Sequence, residues 1–124
     1  MTIRQAIDLI DDLMPNQIDF VQKVYWLSTL DGQITNEIHK NHEGTKEYPY
    51  TGYSEETPQD TVLLVPAPYD ELYRWFLEMQ ICDANGEIVK YNNASVKYNS
   101  ALASYMNYVN RTYMPVEKTK LILW

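Results

Sequence analysis

Apolar residues at Ile3, Ala6, Ile7, Ile10, Leu13 and Met14 recur with helical spacing behind Thr2 and Gln5, whose separation is that of a capping box. Pro15 disfavours helical backbone at Met14 and closes this first helix. A second stripe, Phe20, Val24, Leu27, Leu30 (or Asp31), Ile34 and Ile38, predicts a longer helix. Asn16 is placed to cap it, with Asp19 in the first turn, where the helix dipole favours negative charge. Gly32 interrupts this helix at a cost of about 1 kcal/mol relative to Ala, yet the stripe resumes in register beyond it. One helix is therefore expected, ending near residues 42–44, where Gly44 suits the left-handed terminating position.

The pattern then dissolves. Residues 43–61 carry Pro49, Gly52 and Pro58 as breakers, and Tyr48, Tyr50 and Tyr53 fit neither a helical nor a strand register. A stretch this long without periodicity is either a contact loop or a surface excursion. Residues 62–65 form a short apolar run, plausible as an extended segment packed on the helices. Pro68 opens a third helix, with Asp70 and Glu71 in its first turn and Leu72, Trp75, Phe76, Met79 and Cys82 on its inner face. Asn85-Gly86 and Asn92-Asn93 both qualify as its end. The second is preferred, because Gly86, Val89 and Val96 let the stripe run on and Asn93 is a good N-cap. A fourth helix is then expected over residues 94–111, turning Tyr98, Ala101, Leu102, Tyr105, Tyr108 and Val109 toward its neighbour. Pro115 stops it, and residues 116–124 end in Leu121, Ile122, Leu123 and Trp124. The expected fold is mainly α: a small four-helix bundle with a long loop between the second and third helices and an extended C-terminal tail. In domain terms, residues 1–115 form one helical unit containing the loop 44–61, and residues 116–124 form the tail.

Composition narrows the function more than the fold. With 124 residues the chain is expected to be one domain, large enough to bury a core without metals or disulfides. The net charge of −7 opposes a role dominated by phosphate contacts, so no sequence-specific nucleic-acid partner is expected. No apolar run approaches the ~20 residues of a membrane span, and the acidic first residues do not resemble a signal peptide. The single Cys82 lies in an apolar helical stretch and reads as a buried thiol in a reducing compartment. Asp8, Asp11 and Asp12 read as a solvated acidic face.

Candidate chemistry is sparse. His39 and His42, three apart, could present two ligands to a metal, but no third or fourth ligand is evident. Glu78, Asp83 and Glu87 fall on different helical faces and have no histidine partner. No nucleophile elbow, metalloprotease, phosphate-loop or dinucleotide motif occurs. What the chain does have is tyrosine: seven of its eleven fall within residues 66–115. Tyrosine combines a large apolar ring with a polar tip and suits partly wet contacts. Tyr48, Tyr50 and Tyr53 in the loop and Leu121, Ile122, Leu123 and Trp124 in the tail are therefore the candidate protein-interaction residues. No catalytic, cofactor or metal residues are assigned, and a non-enzymatic assembly protein is expected.

Three stretches carry a family resemblance: MPNQIDFVQKVYWLSTLDGQITNEI, LLVPAPYDELYRWFLEMQICDANGE and YNNASVKYNSALASYMNYVNRTYMP. They resemble the head–tail connector (adaptor, head-completion) proteins of phages and prophages of Gram-positive bacteria, over nearly the whole chain outside the loop 44–61. The resemblance rests on packing and turn residues and not on a catalytic signature. It implies a mostly helical subunit of the virion neck, made in the host cytoplasm. Such a subunit would join a homo-oligomeric ring of about twelve copies beneath the portal protein and meet a tail-side neck or stopper protein on its other face. It further implies that Tyr69, Tyr73, Trp75 and the tyrosines from Tyr91 to Tyr108 shape a helical hairpin and its subunit contacts. The tail 116–124 is then expected to dock on the portal. Two alternatives stand beside this reading: a helical protein-binding or regulatory protein of a prophage, and a small metal-binding protein using His39 and His42.

Overall fold

The computed structural model describes residues 1–39 and 50–112, and these form four α-helices: α1 (Ile3–Leu13), α2 (Phe20–Glu37), α3 (Leu72–Asn85) and α4 (Ile88–Thr112). A 3-10 turn, Tyr69–Glu71, leads into α3. The expected mainly helical bundle, with its long connection between the second and third helices, is what the chain forms.

The start of α1 shows how the connection is tied down. The Thr2 hydroxyl accepts from the Gln5 amide, and the Gln5 side chain accepts from the Thr2 amide, completing the capping box. The remaining early amides of the helix find partners in the connection: Ile3 donates to the Thr61 carbonyl and Arg4 to the Gln59 carbonyl, both at 3.0 Å. Val62 bridges to Thr2 in antiparallel fashion, and Leu63 and Val65 are buried. The apolar run 62–65 packs on the helices, extended at Val62 where it bridges Thr2 and bending at Leu64 and Val65.

α3 is the central element, packing against α1, α2 and α4. It therefore needs two apolar faces. Leu72, Phe76, Met79 and Cys82, together with Trp75, lie toward α4, where Phe76 meets the Tyr98 ring at 5.5 Å. Tyr73, Leu77 and Ile81 form a second buried stripe toward α1 and α2. Periodicity had identified only the first of these.

Three boundaries differ from expectation. Asp19, not Asn16, is the N-cap of α2; Asn16 instead holds the preceding turn, accepting from Ile18 and donating to Asp11 and the Met14 carbonyl. α2 closes at Glu37, short of residues 42–44, which lie outside the described residues. The α3–α4 junction falls at Asn85-Gly86 and not at Asn92-Asn93. Gly86 adopts φ 73°, a left-handed conformation that costs glycine little, while its amide bonds to Asp83 and that of Glu87 to Cys82. This paired closure ends one helix, and the next begins at Ile88 with Val89 and Val96 rotated out of the stripe. Leu13 also departs from its stripe, standing half-exposed at the end of α1.

Candidate interaction surface

The most polar point of the interior is Asp31, which is fully buried in the middle of α2. Three donors converge on its carboxylate. The Tyr73 hydroxyl from α3 donates to Oδ1 at 2.6 Å, the Tyr53 hydroxyl donates to Oδ2 at 2.6 Å, and the Leu64 amide reaches Oδ2 at 3.2 Å. The Tyr73 oxygen in turn accepts from the buried Val65 amide at 2.9 Å. Burial raises the Asp31 carboxyl above its ordinary value, and the three hydrogen bonds oppose that shift. Both tyrosines are pushed well above the usual phenol value, first by burial and then by the neighbouring Asp31 charge.

Around this hub the connection is pinned to α2. Ser28 accepts from the Tyr53 amide at 3.0 Å and lies 3.1 Å from the Tyr50 hydroxyl, which also donates to the Ser28 carbonyl. The Tyr50 and Tyr53 rings meet edge to face at 5.3 Å. Gly52 lies between them at φ 93°, a left-handed conformation that favours glycine. Tyr50 and Tyr53, expected as contact residues, thus spend their hydroxyls inside the chain and present only half-buried rings. With each oxygen occupied and covered, Asp31 is a staple between segments rather than an acid–base centre open to substrate.

The hairpin tyrosines also face inward for the most part. Tyr105 is buried and lies with its hydroxyl 2.5 Å from His39 Nε2. Tyr69 stacks on Tyr108 at 4.8 Å and sits 6.0 Å from Tyr105. Trp75 is flanked by two cations, the Arg74 guanidinium at 4.1 Å and the Lys97 ammonium at 4.5 Å. His39 is therefore engaged with Tyr105, and His42 lies outside the described residues. Among the described residues no three His, Cys, Asp or Glu side chains form a metal-sized group. Cys82 is buried, its thiol pushed up by burial and by the Glu78 and Glu87 charges.

Among the described residues, the outer side of α4 carries exposed apolar side chains. Ile88, Val89 and Val96 are 72%, 74% and 69% exposed, and Met106 is exposed further along the helix. Sequence reasoning had enrolled Val89 and Val96 in the inner stripe of a longer third helix; the signal that places them outside is the Asn-Gly closure at residues 85–86. Leu13 at the end of α1, and Val21 and Tyr25 on α2, are also exposed. Tyr48, Leu121, Ile122, Leu123 and Trp124 lie outside the described residues. Among those described, no helix is long and apolar enough to cross a membrane. No protein family, curated protein or solved structure matches the chain.

Proposed function

We propose that this chain is a structural virion protein, a head–tail connector subunit that joins a ring beneath the portal and links it to a tail-side neck protein. The observation that carries this reading is the outer side of α4, where large apolar side chains stand exposed on a helix whose Tyr98, Tyr105 and Tyr108 pack inward. Exposed apolar groups on a pre-organised element favour contact with another protein, because little ordering entropy is lost on binding. The resemblance of the hairpin text to connector proteins supplies the class of partner. The buried staple at Asp31 supports the same reading, since it holds the connection against the helices without offering an open acid–base pair.

The test is capture by the portal. Purified portal rings from the same phage or prophage, incubated with the chain, should yield a larger complex by sedimentation with a fixed ratio of subunits. Particles lacking the chain should accumulate as filled heads without tails. A portal that never retains the chain, or particles that mature and infect without it, would overturn the proposal.

A further inference from the structure

With α3 packed against both α2 and α4, a groove of about 120 Å³ is left between those two helices. Two rows line it at four-residue spacing: Leu30, Ile34 and Ile38 from the α2 side, and Tyr98, Leu102 and Met106 on α4. Gln33 and Glu37 add polar groups that can meet a main chain laid along it. The α2 row is buried. Tyr98 and Leu102 are half-buried and Met106 is 42% exposed, so the α4 row has apolar area still to cover.

α4 ends at Thr112, six residues beyond Met106 and so about 9 Å further along the helix axis. Residues 113–124 follow, and Pro115 opposes a plain continuation of the helix. Residues 116–120, if extended, span up to about 17 Å. That length brings residues 121–124 back level with Met106 and Leu102. Those last residues are Leu121, Ile122, Leu123 and Trp124. The other stretch outside the described residues, 40–49, also starts near the groove, but Tyr48 is its one large apolar side chain.

We infer that residues 121–124 fold back and seat in the α2–α4 groove of the same molecule, an apolar side chain filling the space beside Met106. Reach and chemistry carry the inference together. Four consecutive apolar residues and an apolar groove would otherwise both face water, and each removes the other from it. The short tether gives the tail an effective concentration in the millimolar range at its own groove, which favours that groove over one on another copy. The inference goes beyond the connector reading and does not depend on it: in the isolated subunit it assigns the tail to its own bundle and not to the portal.

Nuclear Overhauser contacts in the full native chain test it without any substitution. The Trp124 ring or the Leu121, Ile122 and Leu123 methyls should touch the methyls of Ile34, Leu102 or Met106, equally at every protein concentration. As a second measurement, Met106→Cys/Leu123→Cys should close an intramolecular disulfide roughly tenfold faster than Ser104→Cys/Leu123→Cys, because Ser104 is exposed on the opposite side of α4. The native Cys82 is buried and takes no part. Equal rates for the two pairs, or a native chain whose tail makes no contact with the groove, would overturn the inference. Contacts or cross-links that grow with concentration would give the groove to the tail of a second copy and overturn it equally. Portal capture is scored separately: a chain that binds portal but shows no groove contact loses this inference alone. One that shows the contact but never binds portal keeps it and loses the connector assignment.

Discussion

Replacing Tyr73 by phenylalanine removes one oxygen atom and leaves the ring in place, so nearly the whole effect comes from the hydrogen bonds around Asp31. That oxygen donates to the Asp31 carboxylate at 2.6 Å and accepts from the Val65 amide at 2.9 Å, both in the buried interior. A hydrogen bond to a charged group contributes about 1.5–3 kcal/mol, and orphaning a buried amide costs about 1–3 kcal/mol. The two losses share one atom and the site relaxes, so they do not add fully, and about 3–4 kcal/mol is expected. For a chain of this size that corresponds to a fall in melting temperature of roughly 10–15 °C. Tyr53→Phe is the internal control. It breaks a bond of the same length to the same carboxylate, but at a half-buried ring where water can substitute, and should cost about 1 kcal/mol. Urea unfolding followed by circular dichroism, with an unchanged denaturant slope, measures both. Should Tyr73→Phe fall within about 0.5 kcal/mol of the native protein, or cost no more than Tyr53→Phe, the view of Asp31 as the staple of the fold is refuted.

Gly86→Ala meets no atom within 4 Å, so its cost is conformational alone and should be about 1 kcal/mol by the same urea assay. Stability should also fall steeply at alkaline pH. Tyr53 and Tyr73 have folded values raised above the ordinary phenol value of 10.0, so their contribution is fully present below that pH and is lost as the unfolded chain deprotonates first. The slope is up to about 1.4 kcal/mol per pH unit for buried Tyr73 and less for half-buried Tyr53, where solvent screens the effect. Tyr98, pushed up to about 12 by burial and then by the Glu37 charge, adds in the same direction. An unfolding free energy in urea that stays flat between pH 10 and pH 12 would contradict it. Cys82 should react with a thiol reagent only as the protein unfolds, the rate following urea concentration; immediate reaction in the native state would place the thiol on the surface.

Helix content, the capping box at Thr2 and the apolar faces of α1 and α2 could be read from the chain because each depends on residues a few positions apart. The segment 62–65 was visible for the same reason, as a short apolar run between breakers. The end of α3 was harder. A left-handed glycine and a continuing stripe of valines compete on nearly equal local terms, and the stripe wins on paper. In the folded chain the closure at Gly86 wins, since Asp83 and Cys82 supply carbonyls for both amides that follow.

By itself the sequence determined four helices, one long connection and an acidic, tyrosine-rich composition with no recognisable catalytic motif, because periodicity and composition are local or additive quantities. Only the tertiary structure decided that Asp31 is an anchor and not a surface carboxylate: its partners, at positions 53, 64 and 73, come from distant stretches that no spacing rule connects. It also decided which apolar residues remain outside. Burial depends on how α3 divides its two faces between its neighbours, and with α4 against one of them Ile88, Val89 and Val96 stand exposed among the described residues.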